Sequence, residues 1–165
     1  MKAKRPKISI VTFGCRANQY DSALMAARLS SFAEVSPDSI EDADLVVINT
    51  CSVTHKPVRN LRKLLGRIAR ETPEKPVLVA GCHAQLAGAE IEKLPGVSAV
   101  VTNDDRDEIP LHAARLLGLE SFDPHEAETG VLTRPFGMTR PNVKIQDGCD
   151  HFCSFCTVPL ARGRP

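Results

Sequence analysis

Leu45-Val46-Val47-Ile48-Asn49-Thr50-Cys51 is an apolar run that closes on a thiol. Aliphatic residues without polar alternation are what a parallel sheet buries on both faces. The stretch therefore predicts a central strand that delivers Cys51 to its carboxyl end. Two more runs repeat the arrangement. Ile8-Ser9-Ile10-Val11-Thr12-Phe13 leads through Gly14 to Cys15, and Val77-Leu78-Val79-Ala80 leads through Gly81 to Cys82.

Helical patterns separate these runs. Asn18 or Asp21 caps a helix reaching about Ser31, with Tyr20, Leu24, Ala27 and Ser31 on one face. Val58, Leu61, Leu65 and Ile68 recur at helical spacing until Pro73 and Pro76 close the segment. A short strand is expected at 34–36, a helix at 89–94 stopped by Pro95-Gly96, a strand at 98–102 and a helix at 108–117 ending at Gly118. Strand and helix alternate throughout, which predicts an α/β, Rossmann-like, open and mostly parallel sheet with helices on both faces.

Residues 1–118 form that domain. At 119–141 the apolar period lapses among Glu120, Asp123, Glu126, Glu128, Pro124, Pro135 and Gly137, which reads as a linker with one short strand at Val131-Leu132. Residues 142–165 open a second unit, in which Val143-Lys144-Ile145-Gln146 reads as a strand leading into Cys149-x3-Cys153-x2-Cys156.

With 165 residues, 42% hydrophobic and 25% charged, the chain has the composition of an ordinary globular protein. A net charge of +1 gives no general attraction to polyanions, so a nucleic-acid partner would have to meet a local basic patch. No stretch approaches the ~18 apolar residues of a membrane span, and the basic start carries no signal-peptide pattern. A cytoplasmic protein is expected. In that compartment six cysteines point to metal or redox chemistry rather than to a disulfide framework.

The six thiols fall into two trios. In an open α/β sheet, ligands gather outside the carboxyl ends of the strands, where Cys15, Cys51 and Cys82 are all expected. Helix N-termini there would lower thiol pKa values. Three thiolates can hold three irons of a four-iron cluster and leave the fourth open. The competing readings are buried cysteines that act as small hydrophobes and a zinc site completed by His55, His83 or water. The second trio sits on one short loop, which also fits a cluster; an incomplete zinc knuckle using His151 and a dithiol redox pair at Cys153 and Cys156 compete with it. Phe152 is a candidate core residue.

Thr12-Phe13-Gly14-Cys15-Arg16-Ala17-Asn18-Gln19-Tyr20-Asp21-Ser22, Asn49-Thr50-Cys51-Ser52-Val53-Thr54, Ala80-Gly81-Cys82 and Gly148-Cys149-Asp150-His151-Phe152-Cys153 through Cys156 carry a resemblance. They resemble the methylthiotransferases of the radical S-adenosylmethionine superfamily over essentially the whole chain. The resemblance implies two [4Fe-4S] clusters: an auxiliary one on Cys15, Cys51 and Cys82 that handles the inserted sulfur, and one on Cys149, Cys153 and Cys156 that binds S-adenosylmethionine and generates the 5'-deoxyadenosyl radical. Phe155 stands where an aromatic residue packs near the adenine. The implied reaction inserts sulfur at adenine C2 in tRNA and methylates it with a second S-adenosylmethionine.

Cys15 to Tyr20 and Asn49 to Lys56 look most like the branch acting on threonylcarbamoyladenosine beside the anticodon, with the isopentenyladenosine branch as the alternative. Leu160 stands where relatives often have tyrosine. The resemblance also implies a barrel and a C-terminal RNA-binding domain beyond residue 165, so the chain is expected to be an inactive fragment, with the anticodon stem-loop gripped mainly elsewhere. Aromatic content of 4% agrees with that location for the RNA grip. Arg59, Lys63, Arg67 and Arg70 share one helix face and are candidates for phosphate contact or a solvated surface, as are Arg162 and Arg164. The sulfur and electron donors are not specified by the sequence, and a non-catalytic zinc module is the rival reading.

Overall fold

The computed structural model describes residues 5–37, 39–119, 140 and 142–165. The three apolar runs become adjacent parallel strands: β1 (Lys7–Phe13), β3 (Leu45–Thr50) and β4 (Val77–Ala80). The short β2 (Glu34–Pro37) pairs with the outer side of β1 and β5 (Ala99–Val101) with the outer side of β4, giving the order β2-β1-β3-β4-β5. Every pairing is parallel, and the mostly parallel sheet expected from the sequence is in this structure wholly parallel among the described residues.

Alternation of side chains along each strand divides the core in two. Ile8, Ile10, Leu45, Val47, Leu78 and Ala80 face one side, where α1 (Arg16–Leu29) and α4 (Ile109–Leu116) supply Met25, Leu29, Ile109 and Ala113. Val11, Val46, Ile48, Val77 and Val79 face the other, under Leu61, Leu65 and Ile68 of α2 (His55–Glu71) and Ala84 and Ile91 of α3 (Cys82–Ile91). The continuous run of β3 is buried at all six positions, as a strand covered on both faces must be.

Several expectations are corrected. The buried face of α1 is Asn18, Ser22, Met25, Ala26 and Leu29, not the Tyr20, Leu24, Ala27 and Ser31 face. Polar residues lie inward there because they hydrogen-bond to one another and to β3, a preference that apolar periodicity does not register. Cys15 is the N-cap, and Asn18 at the third helical position closes a capping box with it. α3 starts at Cys82 rather than at 89 and is kinked at Ala87 (φ −140°, ψ 31°). A 3-10 turn at Arg106–Glu108 precedes α4. Val143 to Gln146 makes no strand: Val143 and Ile145 are exposed, because no strand among the described residues lies alongside to pair with them. The expected strand at Val131-Leu132 and most of the linker lie outside the described residues. Among the described residues no helix is long and apolar enough to cross a membrane.

Register fixes what happens at the carboxyl rim. Phe13 stands opposite Thr50, and Asn49 opposite Ala80, so β1, β3 and β4 end side by side. The chain then turns at Gly14 and Gly81. Gly81 has φ +96°, and a Cβ there would strike Asn49 Oδ1 and lie 2.6 Å from the Thr50 carbonyl oxygen. Gly81→Ala is expected to destabilise the domain by about 2–3 kcal/mol, from left-handed strain and overpacking together. A thermal melt should show it as a drop in Tm of several degrees, roughly 2–4 °C per kcal/mol at this size. Gly118→Ala, also at positive φ but with no atom of the described residues within 4 Å of the added Cβ, should cost less.

Candidate functional site

The order β2-β1-β3-β4-β5 reverses direction between β1 and β3, and in doubly wound sheets the crevice at such a reversal takes the ligand. Cys15 follows β1 and Cys51 follows β3, so both thiols sit at that switch point. Together they line a cleft of about 480 Å³, with Thr12, Phe13, Val53, Thr54 and Lys56 among its other walls. Cys82, one strand further along the rim, opens α3. Cys15 is exposed, whereas Cys51 and Cys82 are buried.

A hydrogen-bonded knot fixes this rim. The buried Asn49 of β3 donates to the Asn18 carbonyl (2.8 Å) and to Ser22 Oγ (2.9 Å), and its own Oδ1 accepts from Asn18 Nδ2 (3.1 Å). Ser22 Oγ meets Thr12 Oγ1 at 2.7 Å. Asn18 Oδ1 in turn accepts from the Cys15 amide (3.3 Å) and thiol (3.2 Å), while Asn18 Nδ2 lies 4.0 Å from Cys82 Sγ. The Cys51 sulfur accepts from the Val53 amide at 3.4 Å. Asn18 thus contacts two of the three thiols, Cys15 and Cys82, and is bonded to Asn49, two residues before the third.

Burial pushes the Cys82 thiol up; the neighbouring Arg162 guanidinium and Asn103 amide counter it, and nearby Cys51 adds to it. The expected lowering by the helix N-terminus is therefore overturned at Cys82, because desolvation outweighs it. Asn103 Nδ2 lies 3.7 Å from Cys82 Sγ and also donates to the Ala161 carbonyl.

The second trio lies on the loop before α5 (Val158–Arg162). Its turn is tied by the Cys149 amide to the Gly163 carbonyl (3.0 Å) and the Cys156 amide to the Cys153 carbonyl (3.0 Å). Phe152 and Phe155 are both exposed, so Phe152 is not a core residue here; its ring lies under the Arg164 guanidinium. Phe155 presents an exposed aromatic face beside Cys156. His55 and His151 are exposed, and His83 is half-buried with its pKa lowered by burial and by Arg62, against Glu90.

Arg162 binds this segment to the sheet domain. Its guanidinium pairs with Asp21 of α1 (2.6 Å) and with Asp147 (2.8 Å), and Lys144 pairs with the same two carboxylates at 2.9 and 2.8 Å. Arg106 makes a third contact to Asp147. Arg162 is thereby removed from the candidates for phosphate contact, since its side chain is only 6% exposed and held by two carboxylates. Burial works against the charges of Arg162 and Asp147, but Asp21 and then Asp147 raise the Arg162 pKa, and Lys144, Arg162 and Arg106 together hold the Asp147 carboxyl below the usual range. Sequence reading missed this clasp because Asp21 and Arg162 lie at opposite ends of the chain.

Among the described residues no three His, Cys, Asp or Glu side chains are close enough together to hold a single metal ion. A zinc tetrahedron with Zn–S near 2.3 Å asks for sulfurs about 3.8 Å apart. A four-iron cluster spreads its thiolates over separate irons and asks for a wider cradle. Two features around Cys51 suit such a group: Thr50 Oγ1 and Ser52 Oγ, on either side of it, are buried with no hydrogen-bond partner among the described residues. Glycine at 14 and 81 also brings the backbone close behind Cys15 and Cys82, where a Cβ would collide.

The fold and the rim define a doubly wound α/β domain with thiols at its switch point. Residues 7–102 match the model of the family described as Uncharacterized protein family UPF0004, and the chain belongs to that family. It is similar to proteins named tRNA-2-methylthio-N(6)-dimethylallyladenosine synthase. The one from Sphingopyxis alaskensis is 38% identical, over 99% of this chain and 39% of the relative. Those from Paracoccus denitrificans and Thermus thermophilus are each 37% identical, over 95% and 93% of this chain and 37% and 34% of the relatives. The chain spans between a third and two-fifths of the length of these curated relatives.

Arg162→Ala should free residues 142–163 from the sheet and cost about 3–5 kcal/mol, since it leaves two largely buried carboxylates short of a cation. Limited proteolysis should then cut within that segment while the sheet core resists. Asp147, with its depressed folded pKa, contributes stability that is complete above the ordinary aspartate pKa near about 4 and lost as pH falls below it. Acid unfolding of Asp147→Asn should accordingly be less steep below pH ~4 than that of the unaltered chain.

Proposed function

We propose that this chain is the N-terminal part of a tRNA methylthiotransferase that places a methylthio group on N6-dimethylallyladenosine. The observation that carries the reading is the meeting of Cys15 and Cys51 in one cleft, with Cys82 beside it on the same rim, in a chain similar to proteins bearing that name. The relatives' names favour the dimethylallyladenosine substrate, the alternative of the sequence reading, over threonylcarbamoyladenosine.

In this proposal Cys15, Cys51 and Cys82 hold one four-iron cluster, and Cys149, Cys153 and Cys156 hold the other, which binds S-adenosylmethionine with Phe155 beside the adenine. When bound, such clusters supply one-electron chemistry and an open iron for a small ligand. The chain's own residues do the rest. Asn18 and Asn49 set the positions of the thiols, and the Val53 amide and the hydroxyls of Thr50 and Ser52 offer hydrogen bonds to sulfur around Cys51. The clasp of Arg162, Asp21 and Asp147 holds the second loop against the first site.

Anaerobic reconstitution tests the cluster assignment. The chain should take up about eight irons, and replacing either trio with serine should remove about four of them and leave the rest. A colourless protein holding zinc in place of iron would overturn the assignment. The substrate is read from tRNA nucleosides of a deletion strain by mass spectrometry. The methylthio form of dimethylallyladenosine should vanish and its unmodified precursor accumulate; loss confined to threonylcarbamoyladenosine would reverse the substrate choice.

A further inference from the structure

α2 carries six cations, Lys56, Arg59, Arg62, Lys63, Arg67 and Arg70, against a single acid, Glu71. All six are exposed, while Leu61, Leu65 and Ile68 are buried on the opposite face. In a chain of net charge +1, this helix alone therefore carries a local excess of five positive charges, six cations less one acid.

The placement of that charge matters more than its amount. Lys56, Asn60, Lys63, Arg67 and Arg70 follow one another at alternating spacings of four and three, which puts them on a single stripe of the helix surface. The first two, Lys56 and Asn60, line the cleft shared by Cys15 and Cys51. With a rise of about 1.5 Å per residue, the stripe leaves the cleft and runs some 20 Å along the outside of the domain. Arg59 and Arg62 lie to one side of it. Among the described residues, Glu41 and Glu71 approach only Arg67, at 3.9 and 3.7 Å, and no carboxylate pairs with the rest of the stripe.

We propose that the outer face of α2 is a phosphate-binding track that guides an RNA strand to the cysteine cleft. The inference rests on the tRNA reading above and adds a contact surface within this domain itself. Arginine and lysine at successive turns meet the backbone phosphates without reading sequence, and so supply affinity and orientation while the base to be modified is selected elsewhere. The scarcity of aromatic residues fits this division, because stacking on bases is the part this face does not supply.

Fluorescence anisotropy with an end-labelled anticodon stem-loop RNA tests it on the 165-residue chain. Lys63→Gln/Arg70→Gln is compared with Arg5→Gln/Arg115→Gln, which removes the same charge from exposed positions away from α2. The first pair should weaken binding at least fivefold. It should also reduce the slope of log affinity against log salt by about 1.4, at about 0.7 for each single-strand phosphate that is no longer neutralised. The second pair should change the slope little. Equal weakening by the two pairs, an unchanged salt slope, or no binding by the unaltered chain overturns the track. Iron content measured on the same samples stands apart from this result, so a failed track leaves the cluster assignment to its own test.

Discussion

A buried amide at the end of the central strand holds the site together. Asn49 is wholly buried in β3, and an unsatisfied amide there would cost several kcal/mol. Its partners, the Asn18 carbonyl, the Asn18 side chain and Ser22, all belong to α1. Satisfying Asn49 therefore fixes where α1 starts relative to β3. Because Cys15 caps α1 and Cys51 lies two residues beyond Asn49, the same bonds set the relation between the two thiols. Gly81 belongs to this constraint too, since only a residue without Cβ lets β4 end so close to Asn49.

The second constraint is electrostatic. Two carboxylates and two cations are largely buried between the sheet domain and the segment carrying the second cysteine trio. Such a cage adds little net stability compared with apolar packing, but it tolerates no missing member and admits one geometry. It joins residues 142–165 to the rim at Cys82, where Arg162 neighbours the thiol and Asn103 spans Cys82 and Ala161. In the proposed enzyme the two clusters would keep a fixed relation through this clasp.

The parts of the fold legible in the sequence are those governed by apolar burial. β1, β3 and β4 and the apolar stripe of α2 follow from runs and periods that only a covered parallel sheet accommodates, and placing three thiols at one rim follows from the strand ends. Polar burial is not legible in the same way. The inward face of α1 is built from Asn18, Asp21 and Ser22, whose partners lie on β1, on β3 and at the far end of the chain, so apolar periodicity selects the wrong face. The sequence pattern starts α3 too late because its first turn, Cys82-His83-Ala84-Gln85, carries no apolar stripe. Arg162 resembles a surface cation because its carboxylates are distant in sequence, and Val143 to Gln146 resembles a strand because β-propensity does not reveal whether a neighbour exists to pair with.

Mössbauer spectroscopy tests most directly whether three thiols from three strands form one metal cradle. The chain is reconstituted with iron-57 after Cys149, Cys153 and Cys156 are replaced with serine. The account predicts the quadrupole doublets of a single cuboidal four-iron cluster, lost when any one of Cys15, Cys51 or Cys82 is also replaced. A spectrum of mononuclear iron, or a cluster indifferent to one of those three residues, would contradict it.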